Sequence, residues 1–148
     1  MVVTAPKLIS QKFLEKTLQE NSQWIEERLN KKKTFQVPTD EKEIRRAKKK
    51  ARKVIEEKLD FFNQYYQFSF TTISIRNQKT RWGSCSSTGS LNFNYKLIYL
   101  SEKLLDYVVV HELCHLWEMN HSVNFWNLVA KRIPDFKERR KDLKKVRI

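Results

Sequence analysis

Apolar residues recur at helical spacing along the first half of the chain, and the texture changes near residue 68. Ser10 reads as the cap of a helix running to about Gln19, with Phe13, Leu14 and Leu18 on one side. Ser22 opens a second helix to about Lys32, marked by Trp24, Ile25 and Leu29. Residues 33–39, with Pro38, read as a linker. Asp40 followed by Glu43 is a capping-box-like start. From there Ile44, Ala47, Ala51, Val54, Ile55, Leu59, Phe62 and Tyr66 predict the buried stripe of one long helix. Its other face carries Arg45, Lys48, Lys49, Arg52 and Lys53.

From Phe68 the pattern becomes β-branched and alternating. Ser69–Arg76 predicts a strand, and Thr80–Ser86 with Leu91–Tyr95 predicts a hairpin closed by Ser87–Ser90. A short extended piece follows at Leu97–Leu100. Ser101 then caps a helix with Glu102 in its first turn, Ser122 caps one from about Val123 to Arg132, and Pro134 opens a last basic helix in an N1-like position. Phe136, Leu143 and Val146 are predicted on its inner side. These elements predict an α+β fold in one domain, 1–148: N-terminal helices and linker (1–39), a long basic helix (40–67) and a core (68–148). The sheet is expected to be small and mostly antiparallel.

Composition changes the picture little: 148 residues with 40% hydrophobic content suffice for a core. No leader-like start and no apolar run of about 18–20 residues is visible, so a cytoplasmic protein is expected. Cys85 and Cys114 then read as reduced thiols, Cys114 as a small hydrophobe and Cys85 with a lesser claim as a fourth ligand or redox switch. Charge adds more. The net +13 is concentrated in residues 31–53 (11 basic, 3 acidic) and 131–148 (9 basic, 3 acidic), while 54–130 is nearly neutral. Two solvated helix faces would explain this, as would a surface for nucleic acid, nucleotide or an acidic substrate.

All three histidines fall within eleven residues, in His111-Glu112-Leu113-Cys114-His115 and then His121. Residues i and i+4 share a helical face, so His111 and His115 can reach one metal ion, with Glu112 beside them to take a proton from water. The apolar run Tyr107–Val110 predicts a protected site. One zinc ion is therefore expected. At about 100° per residue, an unbroken helix would carry His121 off that face. The helix is thus predicted to end around Glu118 or Met119, with Asn120 in the left-handed conformation that ends helices. Glu118 is a minor alternative ligand.

The string Thr80-Arg81-Trp82-Gly83-Ser84-Cys85-Ser86, then Gly89, Asn92-Phe93-Asn94, Asp106–Leu116, Asn120-His121-Ser122 and Phe125-Trp126, resembles the YgjP-like metallopeptidase family, zincins related in motif to SprT-like proteases. The likeness covers roughly residues 70–145, and more weakly Pro6–Leu29; the chain is a short version. It keeps the metzincin spacing of the three His but carries Glu118 where those use Gly. The resemblance implies a zincin-like fold with the sheet packed on the H-E-x-x-H helix, zinc on His111, His115 and His121, and Glu112 as general base. It also implies that Trp82–Cys85 lies along the cleft, although core packing would equally explain Trp82. Gly83 fits a close backbone approach.

The leading expectation is zinc-dependent hydrolysis of peptide bonds in a peptide or protein substrate. Arg81, Trp82, Gly83, Ser84 and Tyr95 are the candidate substrate residues, with Arg81, Tyr95 or a backbone N–H sharing oxyanion stabilisation with the metal. A nucleotide or phosphoanhydride hydrolase and a nucleic-acid-associated SprT-like protease are the alternatives, since the same set can attack phosphorus and the basic flanks suit a polyanion. A non-catalytic metal-stabilised module fits less well, because a structural zinc site fills all four positions.

Overall fold

A computed structural model describes residues 10–22, 37–146 and 148. The chain divides into two units, residues 1–33 and 34–148. In the first, α1 spans Gln11–Glu20, and the Ser10 side chain accepts from the Phe13 N–H as its cap. The helix expected from Ser22 to Lys32 falls largely outside the described residues.

In the second unit α2 spans Glu41–Tyr66, and the Asp40 carboxylate accepts from the N–H groups of Lys42 and Glu43. Ala47, Ala51, Ile55, Leu59 and Phe62 are its buried residues, on the stripe that periodicity predicts. Arg45, Lys49, Arg52 and Lys53 are exposed. The helix stops where Gln67 turns left-handed (φ 55°) and the Asn63 amide bonds both the N–H and the carbonyl of Phe68.

Three strands follow: β1 (Thr72–Arg76), β2 (Gly83–Cys85) and β3 (Ser90–Asn94). The sheet order is β1-β3-β2, with β1 parallel to β3 and β2 antiparallel to it. The sheet is therefore mixed, and the mostly antiparallel expectation is corrected. Chain order suggests a meander, but β3 inserts between its predecessors. Flanked on both sides, it buries Leu91 and Phe93 completely. Residues 77–82 must then cross two strand spacings, about 9.6 Å, before β2 begins. Asn94, fully buried, clamps that crossing: its amide donates to the carbonyls of Gln78 (2.8 Å) and Arg81 (3.2 Å). Its oxygen accepts from the Lys96 N–H.

Asn94 thereby caps a 3-10 helix, Tyr95–Tyr99, in place of the predicted extended piece. Leu97 and Leu100 are three apart and both buried, a spacing that shares one face of a three-residue turn but would split across the two faces of a strand. The remaining helices are α3 (Glu102–Cys114), α4 (Val123–Arg132) and α5 (Phe136–Lys145). Ser101 precedes α3 without a side-chain cap bond, and Asp135 rather than Pro134 is the residue that precedes α5. Lys58 of α2 pairs with Glu102 and with Asp106 (2.9 Å) of α3. Buried residues of α2, β3, α3 and α4 form one apolar core, against which Phe136, Leu143 and Val146 pack. No helix among the described residues is long and apolar enough to cross a membrane.

Candidate metal centre

Helix α3 is apolar on nearly every side, with Leu105, Tyr107, Val108, Val109, Val110 and Leu113 buried, so its C-terminal turn carries His111 and Glu112 into the interior. The helix ends at Cys114, earlier than periodicity predicts, in a tightening series of turns. Leu116 N–H bonds the Leu113 carbonyl, and Trp117 and Glu118 N–H groups both reach the Cys114 carbonyl. Asn120 is not left-handed; Gln67 is the one non-glycine residue with positive φ among the described residues. The chain reverses instead through those turns and a Ser122 N–H bond to the Asn120 carbonyl (2.8 Å). The Ser122 side chain then caps α4 by accepting from the Phe125 N–H.

This reversal brings three imidazoles together. The Nε2 atoms of His111 and His115 lie 3.2 Å apart, and those of His111 and His121 3.1 Å. Nitrogens in a tetrahedral zinc shell with bonds of about 2.0–2.1 Å stand about 3.3 Å apart, so the spacing fits. The tautomer fits as well. Nδ1 of His115 is 2.9 Å from the Glu118 carbonyl, which can only accept, so the proton sits on Nδ1 and the Nε2 lone pair faces the cluster. Burial, then the neighbouring imidazoles and Arg140, depresses His111 to about 3, which keeps it in the neutral form that binds metal. Burial lowers His115 and His121 too. Among the described residues these three are the group able to hold a metal ion. Glu118 contributes its carbonyl, and its carboxylate accepts from the Ser122 hydroxyl.

Phe125 is the floor of the cluster, stacked on His115 with centroids 4.4 Å apart and edge-on to the other two rings. Trp126 stacks on His121 at 5.5 Å and is itself stacked on Phe136. These rings fix the imidazoles sideways and keep water from their apolar edges.

Glu112 is 6% exposed. Burial pushes its carboxyl up to about 8, and the Arg81 charge pulls it back. Across the cleft stands Gly83 of β2. A Cβ there would lie 2.6 Å from Glu112 Oε1 and 2.7 Å from its Cγ, so only glycine leaves room for the side chain. Cys85, two residues on, has its thiol raised to about 11 by burial and by the Glu112 charge, and it bonds the Ser86 carbonyl. It is a protonated thiol outside the histidine group.

Of the predicted substrate residues, Arg81 and Gly83 act on Glu112, while Trp82 and Ser84 flank Gly83, half-buried. Tyr95 departs from expectation. It is 1% exposed, buried in the core beside Tyr99, and unavailable to a substrate. Sequence reasoning missed Tyr107, whose ring lies 5.7 Å from that of His111. Its position four residues before His111 was the available signal, since that spacing shares a face. It also missed Arg140, whose charge acts on His111 and His121 from α5 with no local pattern to announce it.

The family described as YgjP-like, metallopeptidase domain, matches residues 34–146. No curated protein matches the chain. Solved structures that share its fold include two metallopeptidase zymogens. One is the metallopeptidase zymogen of Pyrococcus abyssi abylysin, 23% identical with a TM-score of 0.53, covering 64% of this chain and 99% of that one. The other is the metallopeptidase zymogen of Methanocaldococcus jannaschii jannalysin, 22% identical with a TM-score of 0.54, covering 62% and 94%.

Proposed function

The chain belongs to the YgjP-like metallopeptidase family, and on that premise we propose that it hydrolyses peptide bonds with one zinc ion held by His111, His115 and His121 and with Glu112 as general base. The observation that carries this is the convergence of three Nε2 atoms beside a buried carboxylate. Zinc, when bound, supplies a lowered pKa for water and a polarised scissile carbonyl. The residues supply the rest. The Glu118 carbonyl holds His115 in the ligand tautomer. Glu112 accepts the proton of the attacking water at its carboxylate and returns it to the leaving amine. Burial raises its basicity above that of an exposed glutamate, and the Arg81 charge opposes that rise. Strand β2 is an edge of the sheet, so an extended substrate can pair with it as a further strand. Gly83 then lets that peptide and Glu112 share the cleft.

The test is Glu112→Gln in the full chain. It should bind zinc as the native protein does and cleave peptides at least about 1000-fold more slowly. Undiminished cleavage by a zinc-loaded variant would end the assignment of Glu112.

A further inference from the structure

Beside the histidine cluster lies a second cavity, of about 440 Å³, that the proposed reaction does not use. Trp82, Tyr107 and Leu143 give it apolar walls, and Lys79, Arg140 and Lys144 give it three cations. No acidic side chain is among the described residues that line it. Among the described residues the ion pairs of α5 involve Arg139 and Lys145, not these two α5 cations. Arg140 lies over the face of Trp126, 4.8 Å from the ring centroid, and Trp126 in turn stacks on His121. A guanidinium carries its N–H donors in a planar fork that matches a carboxylate. Tyr107 joins the cavity to the metal centre: it lines the one and its ring lies 5.7 Å from His111.

The approach of a substrate leads to the same place. Trp82 immediately precedes β2, so a peptide laid along that edge runs on over the cavity. Positive charge, a fork-shaped donor and a phenol above apolar walls together suit a carboxylate on a short aliphatic stem.

We propose that this cavity is a substrate subsite for a carboxylate, with Arg140 as its specificity-determining residue, so that the enzyme selects peptides bearing an acidic group next to the cleaved bond. The inference rests on the peptidase reading and names its substrate class. The carboxylate can belong to a Glu side chain or to the C-terminus of the peptide, and the assay separates these.

Zinc-loaded protein is given quenched fluorogenic peptides that differ at one position, Glu, Gln or Lys, moved in turn along either side of the cleaved bond, each with a free or amidated C-terminus. At one position kcat/KM for Glu should exceed that for Gln by about tenfold or more, a charge-assisted hydrogen bond's worth. A preference for the free acid over the amide alone would assign the site to a terminal carboxylate. Arg140→Gln should flatten the preference, and Arg140→Glu should turn it toward Lys, which a merely structural arginine would not do. Binding is read separately in metal-free protein, where N-acetylglutamate amide should shift the Trp82 indole N–H signal saturably in the native chain and not in Arg140→Gln. Equal cleavage of Glu, Gln, acid and amide peptides overturns the subsite and leaves the peptidase reading intact. Absence of cleavage of any peptide overturns the peptidase reading, and an unshifted Trp82 signal overturns the carboxylate site by itself.

Discussion

Replacing Gly83 by alanine tests whether the position of Glu112 is set from across the cleft. The new Cβ would stand 2.6 Å from Oε1, 2.7 Å from Cγ and 2.9 Å from Cδ of Glu112, where ordinary contact begins at 3.4 Å. Relief requires the carboxylate to move by about 0.8 Å, on the scale at which misplacing a catalytic group costs about 100-fold in rate. The Cγ contact matters most, because rotating the carboxylate end alone does not relieve it. Glu112 is almost fully buried, so the displacement is resisted by packed neighbours, and overpacking of this kind costs about 1–3 kcal/mol. The expected phenotype is therefore double: kcat down about 100-fold with zinc retained, and a melting temperature lower by several degrees. A double-mutant cycle isolates the cause. In a Glu112→Ala background the added methyl has no side chain to meet, and the stability cost of Gly83→Ala should fall below about 0.5 kcal/mol. Kinetics near native, or a stability cost that persists without Glu112, would refute the argument.

Two further predictions concern the scaffold. Asn94→Ala leaves the carbonyls of Gln78 and Arg81 and the Lys96 N–H without their partner in a buried setting, and should cost about 2–4 kcal/mol in chemical denaturation; retention of stability would mean that the clamp on residues 77–82 is dispensable. Arg139→Gln removes a two-bond contact to Asp135 and a bond to the Lys103 carbonyl. The Arg139 hydrogen bond holds the Asp135 carboxyl below its ordinary value, so the associated stability is present above the unfolded pKa and is lost as pH falls through the folded one. Solvent screening of the half-exposed Asp135 keeps this contribution under about 1 kcal/mol. The stability gap between native and variant protein should accordingly narrow as pH drops below about 3.9, measured by denaturation across an acid series; a gap that widens on acidification would contradict it.

What the chain announced by itself is what depends on neighbours a few residues apart. The α2 stripe follows from a 3.6-residue period, the caps at Ser10, Asp40 and Ser122 from side chains bonding their own first turn, and the His111–His115 pair from a spacing of one turn. The same local reasoning mistook the Leu97–Leu100 segment, because a short apolar run suits two backbones, and it assigned the reversal before His121 to Asn120 when overlapping turns from Leu113 onward accomplish it. Other features could only be decided by tertiary structure. The insertion of β3 between β1 and β2 depends on hydrogen bonds between distant segments, and it places Asn94 where it can hold the approach to β2. The space for Glu112 depends on a glycine 29 positions earlier, and Arg140 acts on His111 from the same separation later in the chain. A helical period carries information over one turn, whereas a cleft is made where unrelated stretches of backbone come within contact distance. The His111–His115 pair was therefore legible in the residues, while the wall opposite Glu112 and the cationic cavity beside it were settled by packing.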